Sequence, residues 1–274
     1  MEWQIFLSSG LLSLVILATL AIKWGIKLRT GVSAGMVIGL TTGLFVHKIA
    51  WYVKDCPLLV LLTIEFLFVI LITVIVIVTR FFRDPERVIA QEDNVIISPA
   101  DGVIRYIQEI KNGQIPTSVK GKDKISLEEM TKTDVLNDGG YLIGIEMSIL
   151  DVHVNRAPIE GKIIHQKPTR GNFLSLRSFE ALFSNERVTI VIDNGTFKIG
   201  IIQIASRLVR RIVTFLTEGE WVLLGERIGM IKFGSQVDLV IPKLESIKIN
   251  VKIGDHVEAG STILCEYGGV DFFI

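Results

Sequence analysis

The sequence predicts N-terminal transmembrane helices followed by a mainly β (α+β) domain, and three observations support this fold class. The first is the uneven distribution of charge. The 274-residue chain has 29 basic and 29 acidic side chains, of which residues 1–79 carry only five basic and three acidic ones. The second is a pair of long apolar runs within that segment. The third is a change after Arg80 to short Ile- and Val-rich runs separated by turn residues. We therefore divide the chain into a membrane anchor, residues 1–79, and a soluble domain, residues 80–274.

Two runs in the anchor are long enough to cross a bilayer. Ile5–Ile22 has no charged residue and would be about 27 Å long as a helix. Pro57–Val78 is longer and carries Glu65 as its one charged residue. The Gly-rich run Val32–Val46 between them is short for a span. Glu65 is either functional or hydrogen-bonded between helices.

The basic residues favour three spans over two. Lys23, Lys27 and Arg29 follow the first run, and Arg80 and Arg83 follow the last. With three spans both clusters lie on one side of the membrane, which the positive-inside rule assigns to the cytoplasm. We therefore expect a multi-pass protein of the cell membrane with a cytoplasmic domain. A cleaved signal peptide is disfavoured, because the first run has no basic region before it and no small-residue cleavage site after it.

The composition of the soluble domain argues against several classes of partner. Its 24 basic and 26 acidic side chains nearly balance, so nothing indicates nucleic-acid binding. The two cysteines, Cys56 and Cys265, support neither a disulfide framework nor a Cys-based zinc site. We predict no metal site.

Short apolar runs predict an antiparallel sheet with two helices. The runs that fit strands are Asn94–Ser98, Tyr141–Met147, Val188–Ile192, Lys198–Ile204, Trp221–Leu224, Gln236–Ile241 and Ser246–Val251. Ser126 and Glu129 have the spacing of a capping box and predict a helix start. Apolar residues at 176, 179, 182 and 183 predict a second helix over Leu174–Phe183.

A weak internal repeat indicates barrel-sandwich character. Ser98–Ile104 and Arg156–Ile163 both have Pro, two further residues, Gly and then a strand. Ile247–Leu264 has a strand, a Gly-Asp turn, an Ala-Gly turn and another strand, a pattern that resembles biotinyl/lipoyl-type barrels. A swinging-arm carrier is disfavoured, because those domains present a modifiable Lys at a hairpin tip and we find no such tip.

The residues with the clearest chemistry are a Ser after a Gly and a His near two Asp. The hydroxyl of Ser235 could attack the carbonyl of Gly234, where the missing Cβ relieves crowding. His153 is the natural base, and on a strand Asp151 would lie on the same face. Asp101, in a Pro-Ala-Asp-Gly turn, could converge from another strand. Each feature alone is commonly structural, and His165 and His256 lie outside any chemical motif.

Taken together, four segments resemble the phosphatidylserine decarboxylase family, including its archaeal relatives that act on archaetidylserine. The segments are Phe81–Arg87, Ser98–Gly102, Met147–Pro158 and Ile231–Asp238. The resemblance implies a proenzyme that cleaves itself between Gly234 and Ser235. The ester formed by Ser235 would eliminate and hydrolyse to a pyruvoyl group, so that no added cofactor is needed.

The resemblance also implies the products and the reaction. The β chain, residues 1–234, and the α chain, residues 235–274, would stay together as a heterodimer. The pyruvoyl ketone made from Ser235 would form a Schiff base with the serine head group of a membrane phospholipid, and CO₂ would leave. His153 would act as base in cleavage and then as acid, with Asp101 and Asp151 orienting and charging it.

For the candidate substrate-binding residues, the sequence leaves two interpretations open. Longer bacterial members of the family carry a second His where this chain has Arg156, so His153 would serve alone. Arg156 either holds the lipid phosphate or the serine carboxylate or forms a structural ion pair. Arg83 either contacts lipid phosphate or marks membrane orientation, and Asn185 lies either near the substrate entrance or at an ordinary helix end. The choice between fatty-ester and isoprenoid-ether lipids, and homo-oligomerisation, stay open.

Two rivals are weaker. A non-catalytic membrane protein with a degenerate barrel predicts the loss of Asp101, His153 or Ser235, and all three are present. A soluble pyruvoyl amino-acid decarboxylase would not need residues 1–79.

Overall fold

The chain forms two compact units, a mainly helical one of Met1–Phe81 with Ser148–Leu150, and a β-rich one of Phe82–Met147 with Asp151–Ile274. The computed structural model describes residues 2–53, 57–90, 92–116, 124–136, 139–176, 180–206, 211–232, 235–244 and 246–268. Gly234 of the predicted cleavage site therefore lies outside the described residues.

The helical unit consists of α1, Glu2–Lys23, α2, Leu28–Tyr52, and α3, Leu58–Phe81. All three helices are long and apolar enough to cross a membrane. The prediction of three apolar helices is therefore confirmed. The run that looked short in the sequence, Val32–Val46, lies within the 25-residue α2.

Helix α2 packs on α1 through a row of glycines. The row has four buried members spaced one turn apart, Gly31, Gly35, Gly39 and Gly43. A Cβ added at Gly39 would lie 2.4 Å from Oγ of Ser13 and 2.8 Å from Cα of Gly10. Ser13 donates a hydrogen bond of 2.7 Å to the main-chain oxygen of Gly35. Small residues at such an interface allow two backbones to approach closely, as membrane helices commonly do.

Glu65 of α3 is buried, with 1% of its surface exposed. Its Oε1 accepts a hydrogen bond of 2.9 Å from the Ser8 hydroxyl of α1. Of the two alternatives that the sequence left open, this contact matches a carboxyl that is hydrogen-bonded between helices.

The β unit is built from antiparallel strands. Its described strands are β1 Val95–Ile97, β2 Gly102–Ile110, β3 Gln114–Pro116, β4 Lys124–Ser126, β5 Gly140–Met147, β6 Val154–Arg156, β7 Gly161–Thr169, β8 Arg187–Asp193, β9 Lys198–Ala205, β10 Arg211–Thr214, β11 Trp221–Val222, β12 Arg227–Lys232, β13 Ser235–Pro242, β14 Lys248–Ile249, β15 His256–Val257 and β16 Ile263–Glu266. Eight of them form one sheet in the order β11-β7-β8-β9-β13-β5-β2-β15. Smaller sheets have the orders β1-β16-β14, β10-β12-β6 and β3-β4.

Two apolar clusters lie on opposite faces of the large sheet. Val237, Leu239 and Ile241 of β13 belong to the larger cluster, and Val240 belongs to the smaller one. This alternation follows from the two-residue period of a strand. The first residue of β13, Ser235, therefore belongs to the register of the larger cluster.

The internal repeat seen in the sequence has a structural counterpart. Gly102 has φ +151° and Gly161 has φ +153°. A Cβ at either glycine would lie within 2.5 Å of a main-chain oxygen of the adjacent strand, so glycine is required at both. Gly102 pairs with Val257 of β15, and Gly161 pairs with Val222 of β11. The same registers make His256 of β15 and Trp221 of β11 corresponding residues of the two repeats.

The two short helices differ from each other in how well the sequence predicted them. Ser126 caps α4, Leu127–Thr131, by accepting a hydrogen bond of 3.0 Å from the Glu129 N–H, as the capping box indicated. The predicted helix over Leu174–Phe183 was too long, because α5 covers Ala181–Ser184 and residues 174–176 are not helical. The strands predicted at 221–224 and 246–251 are likewise shorter, each with two residues.

Candidate active site

Ser235 is the first residue of β13, and its backbone is held on both sides. It pairs with Met147 at the end of β5 and with Ala205 at the end of β9. The preceding strand, β12, ends at Lys232. Residues 233–234 therefore connect two strands whose ends are both fixed by hydrogen-bonded neighbours.

The backbone of His153 is tied to the strand that precedes this connection. The His153 carbonyl accepts a hydrogen bond of 3.2 Å from the Ile231 N–H of β12. One residue later, Val154 of β6 pairs with Met230. His153 is also six residues after Met147, the partner of Ser235. These contacts place His153, just before β6, opposite the end of β12, and Ser235 begins the next strand of the chain, β13.

The imidazole of His153 is fully buried and has a defined tautomer. Its Nδ1 lies 2.9 Å from the main-chain oxygen of Asp151. A carbonyl oxygen accepts but does not donate, so Nδ1 carries the proton and Nε2 is the basic nitrogen. The pKa of His153 is lowered to about 4, mainly by burial and to a smaller extent by the charge of Arg83, against the effects of the Asp151 carbonyl and carboxylate. The ring is therefore neutral at pH 7 and able to accept a proton.

The carboxylate of Asp151 binds a second histidine. His256 Nε2 lies 3.1 Å from Asp151 Oδ1, with 52% of the His256 side chain and 13% of the Asp151 side chain exposed. Sequence reasoning treated His256 as a residue without chemical surroundings, and the structure corrects that interpretation. The partners are 105 residues apart in the chain, so no local motif could have revealed the pair.

Asp101 is buried just before β2 and fixes main chain on both sides of the site. Its Oδ1 accepts a hydrogen bond of 2.7 Å from the Ala259 N–H, and its Oδ2 accepts one of 3.4 Å from the Val152 N–H. Arg87 Nη2 lies 2.8 Å from the same Oδ2. Burial raises the pKa of Asp101 above its usual value, although the Ala259 hydrogen bond and the Arg87 charge oppose the shift. Asp101 therefore holds the residue that immediately precedes His153.

Arg156, one of the three residues that the sequence associated with substrate binding, is held by main-chain oxygens. Arg156 is 5% exposed and donates to the main-chain oxygens of Gly225, at 2.9 Å, and Pro85, at 3.2 Å. It also lies 3.5 Å from the carboxylate of Asp84. These contacts match the structural alternative for Arg156, since they hold the segment around Asp84 and Pro85 against β6 and Gly225.

Asn185 is also a structural contact in the described residues. Its side chain donates to the main-chain oxygens of Leu174 and Ala205, both at 2.9 Å, and accepts from the Leu174 N–H at 2.8 Å. These hydrogen bonds satisfy the N–H and carbonyl groups of Leu174 outside a helix. They explain why helix α5 begins later than the sequence predicted. Ala205 is a partner of Ser235, so Asn185 supports the end of β9 at the site.

Sequence reasoning missed a buried amide pair next to the site. Gln203 of β9 donates a hydrogen bond of 2.8 Å to Asn155 Oδ1 of β6. The amide nitrogen of Asn155 lies 3.9 Å from the sulfur of Met147. Both amides are fully buried. They link β6, which directly follows His153, to β9 and to Met147 of β5, which helps to fix the relative positions of those strands.

A second polar cluster lies on the other face of β13. Asp238 is fully buried and accepts hydrogen bonds from Tyr106, at 2.8 Å, and Gln236, at 2.7 Å. Burial raises the pKa of Asp238 to about 6, against the opposing effects of the Gln236 and Tyr106 hydrogen bonds and the Arg187 charge. Among the described residues, no group of three His, Cys, Asp or Glu side chains is arranged to hold a metal ion.

A serine at a fixed strand start and a buried, neutral histidine are residue types suited to acyl chemistry at a backbone carbonyl. Comparison with known proteins identifies which class of enzyme carries it. The sequence profile of the phosphatidylserine decarboxylase family matches residues 75–265.

Individual relatives are similar over most of their length. A protein of Methanocaldococcus jannaschii, provisionally named an archaetidylserine decarboxylase proenzyme, is 41% identical over 186 residues, which are 67% of this chain and 86% of that protein. The phosphatidylserine decarboxylase proenzyme of Chlorobium phaeobacteroides is 40% identical over 194 residues, 71% of this chain and 81% of the relative. The protein of the same name in Pelodictyon phaeoclathratiforme is 42% identical over 189 residues, 68% and 77% of the two chains.

The chain is therefore a decarboxylase, a carboxy-lyase. It belongs to the phosphatidylserine decarboxylase family.

Proposed function

We propose that this protein is a membrane-anchored, self-processing decarboxylase that converts the serine head group of a membrane lipid to ethanolamine and CO₂. The observation that carries the proposal is the register at the site. Ser235 begins β13 opposite Met147, while β12, the strand that precedes β13 in the chain, is hydrogen-bonded to the main chain of His153.

The first step is self-cleavage. His153 Nε2 takes the hydroxyl proton of Ser235, whose Oγ attacks the carbonyl carbon of Gly234. The bond between that carbon and the Ser235 nitrogen breaks, which leaves an ester and a free amine. Loss of the Ser235 α-proton expels the Gly234 carboxylate and leaves dehydroalanine. Its imine tautomer adds water and releases ammonia, and a pyruvoyl group remains at the start of the α chain.

The residues present fit this group, because it is made from the first residue of a strand that is hydrogen-bonded on both sides. Its ketone supplies an electron sink for the pair that is left when CO₂ departs. The buried imidazole of His153 can hold the proton at Nε2 that the substrate carbon then receives. Asp101 and Asp151 fix the main chain around His153, through the Val152 N–H and the Asp151 carbonyl respectively.

The α chain, residues 235–274, is held without a covalent link. Strand β13 pairs with β5 and β9, β15 pairs with β2, and β16 pairs with β1. All four partner strands belong to the β chain, residues 1–234. Cleavage therefore leaves a heterodimer whose interface is a large part of the sheet.

The substrate proposal covers two lipids, phosphatidylserine and archaetidylserine, because the relatives carry both names. Their shared phosphoserine head group is anionic. The positive charge of Arg83 acts on the His153 imidazole, which supports Arg83 as a contact for that head group. Three membrane spans would keep the basic residues that follow α1 and α3 on the cytoplasmic side, together with the catalytic domain.

We also propose that the β unit is a barrel-sandwich of the biotinyl/lipoyl kind. The matching φ angles of Gly102 and Gly161 and the matching registers of β15 and β11 support this.

The mass of the purified full chain tests the self-processing step. We expect a species of residues 1–234 and a second of 40 residues, about 17 Da lighter than its unmodified sequence because the net change from serine to pyruvoyl is the loss of ammonia. Ser235→Ala is the matched control and should stay whole. A single wild-type species of 30.5 kDa, identical to the control, would contradict the proposal.

Cleaved protein in nanodiscs then tests the reaction. Release of CO₂ from phosphatidylserine or archaetidylserine is expected, and the faster of the two identifies the lipid. Release from free serine alone would instead support a soluble amino-acid decarboxylase.

A further inference from the structure

The tripeptide that ends in the catalytic histidine lies outside regular secondary structure. Residues 151–153 precede β6, which begins at Val154. The conformation of this segment decides whether the Asp151 carbonyl faces His153 Nδ1. Side chains must therefore supply the constraint that a strand would otherwise provide.

Two side chains clamp the segment. Asp101 accepts the Val152 N–H at 3.4 Å, and His256 contacts the Asp151 carboxylate at 3.1 Å. Asp101 immediately precedes β2, and His256 pairs with Val103 of β2. Asp101 therefore lies at the start of β2, and His256 lies on β15, the strand that pairs with β2.

The contact of His256 is unlike that of an ordinary surface histidine. His256 lies on β15, which is an edge strand of the large sheet. Half of the His256 side chain is exposed, but its Nε2 contacts the Asp151 carboxylate, whose side chain is only 13% exposed. A carboxylate with so little solvent needs a nearby donor. Loss of the His256 contact would let the Asp151 side chain rotate, and the carbonyl on the same residue would move with it.

We propose that His256 is a positioning residue for the catalytic imidazole. By binding the Asp151 carboxylate, it keeps the Asp151 carbonyl on Nδ1 of His153 and Nε2 available as the base. This inference rests on the proposed self-cleavage. It gives this chain an orienting histidine that acts through a carboxylate and a main-chain carbonyl.

The test is the first-order rate of self-cleavage of newly synthesised full chain in nanodiscs, measured from the loss of the uncut band. We expect His256→Ala to slow cleavage about 10-fold, the lower end of what orienting partners of imidazoles contribute. His256→Gln places an amide nitrogen near Nε2 and should restore most of the rate. His256→Phe keeps the ring without the nitrogen, should be as slow as His256→Ala, and serves if alanine destabilises the domain.

Two further variants separate positioning from general support of the sheet edge. Trp221→Ala changes the corresponding residue of the other repeat and should leave the cleavage rate unchanged. In an Asp151→Ala background, His256→Ala should add no further loss, because the contact is already absent.

The outcomes are distinct. His256→Ala and His256→Phe chains that cleave at the wild-type rate overturn the inference, as does an equal additional loss in the Asp151→Ala background. Slow cleavage in His256→Gln as well would also count against it. A wild-type chain that stays whole overturns the proposed function itself, and this inference with it.

Discussion

The Nδ1 atom of His153 lies 2.9 Å from the main-chain oxygen of Asp151, and not on a carboxylate as in the familiar Ser-His-Asp triad. A carbonyl fixes the tautomer as well as a carboxylate does, but it brings no full negative charge to the ring. Burial lowers the pKa of His153 to about 4, and the Asp151 carbonyl and carboxylate oppose this shift only in part. The histidine is consequently a weak base that is neutral over the whole physiological range.

The low pKa of His153 predicts a flat pH dependence. Since the imidazole stays neutral, the self-cleavage rate should change little between about pH 5.5 and pH 8. A histidine of ordinary pKa would instead lose rate steadily below about pH 6.5. Quenched time courses of the uncut chain across this range distinguish the two, and a rate that falls tenfold per pH unit below 6.5 would contradict the assignment.

The same shift affects stability. Between about pH 6.5 and about pH 4 the unfolded chain binds a proton at His153 that the folded chain does not. The contribution of His153 to the free energy of unfolding therefore decreases as the pH falls through that window.

Asp238 predicts a pH effect of opposite sign. Its pKa is raised to about 6 in the folded chain, so the folded state holds a proton that the unfolded state loses above about pH 4. Stability should therefore fall as the pH rises from about 4 to about 6, by up to about 3 kcal/mol. Asp238→Asn keeps the side-chain shape and should remove this dependence. Thermal unfolding of both chains in detergent at several pH values measures it, and equal pH dependence in the two would show that Asp238 does not titrate there.

Arg87→Leu should destabilise the β unit. The change leaves the buried carboxylate of Asp101 without its cation, which typically costs about 3 kcal/mol when a buried pair is broken. The loss should shrink in acid, because Asp101 can then protonate. Arg105→Leu is the matched control: its pair with Glu146 is half exposed and should contribute less than about 1 kcal/mol. Thermal unfolding compares them, and equal losses would mean that Arg87 acts as an ordinary surface charge.

The glycine row predicts a packing defect in the helical unit. In Gly39→Ala the new methyl would lie 2.4 Å from Oγ of Ser13 and 2.8 Å from Cα of Gly10, so α1 and α2 must separate at a cost of about 1–3 kcal/mol. Gly10→Ala is the control, because a Cβ there meets no atom within 4 Å among the described residues. Resistance of the full chain to unfolding in a denaturing detergent should fall in the first variant and hold in the second.

Local patterns predicted much of the fold. Two of the three apolar helices follow from run length and the third from the positions of the basic residues, and the Ser126 cap follows from the spacing of Ser126 and Glu129. The helix predicted over Leu174–Phe183 is shorter in the structure, where α5 covers Ala181–Ser184. The side chain of Asn185 hydrogen-bonds both backbone groups of Leu174, which stays non-helical. A local pattern does not reveal a competing partner that lies in a different segment.

By itself, the sequence determined the division into apolar helices and a mainly β domain, the residue types at the candidate site, and the family that four short segments resemble. These depend on composition and on spacings of a few residues. The tertiary structure decided which partner each charged group takes: Asp151 binds His256, 105 residues away, and Asp101 binds the Ala259 N–H, 158 residues away. Such pairs depend on sheet register, and register is set by the combined packing of strands from the whole domain.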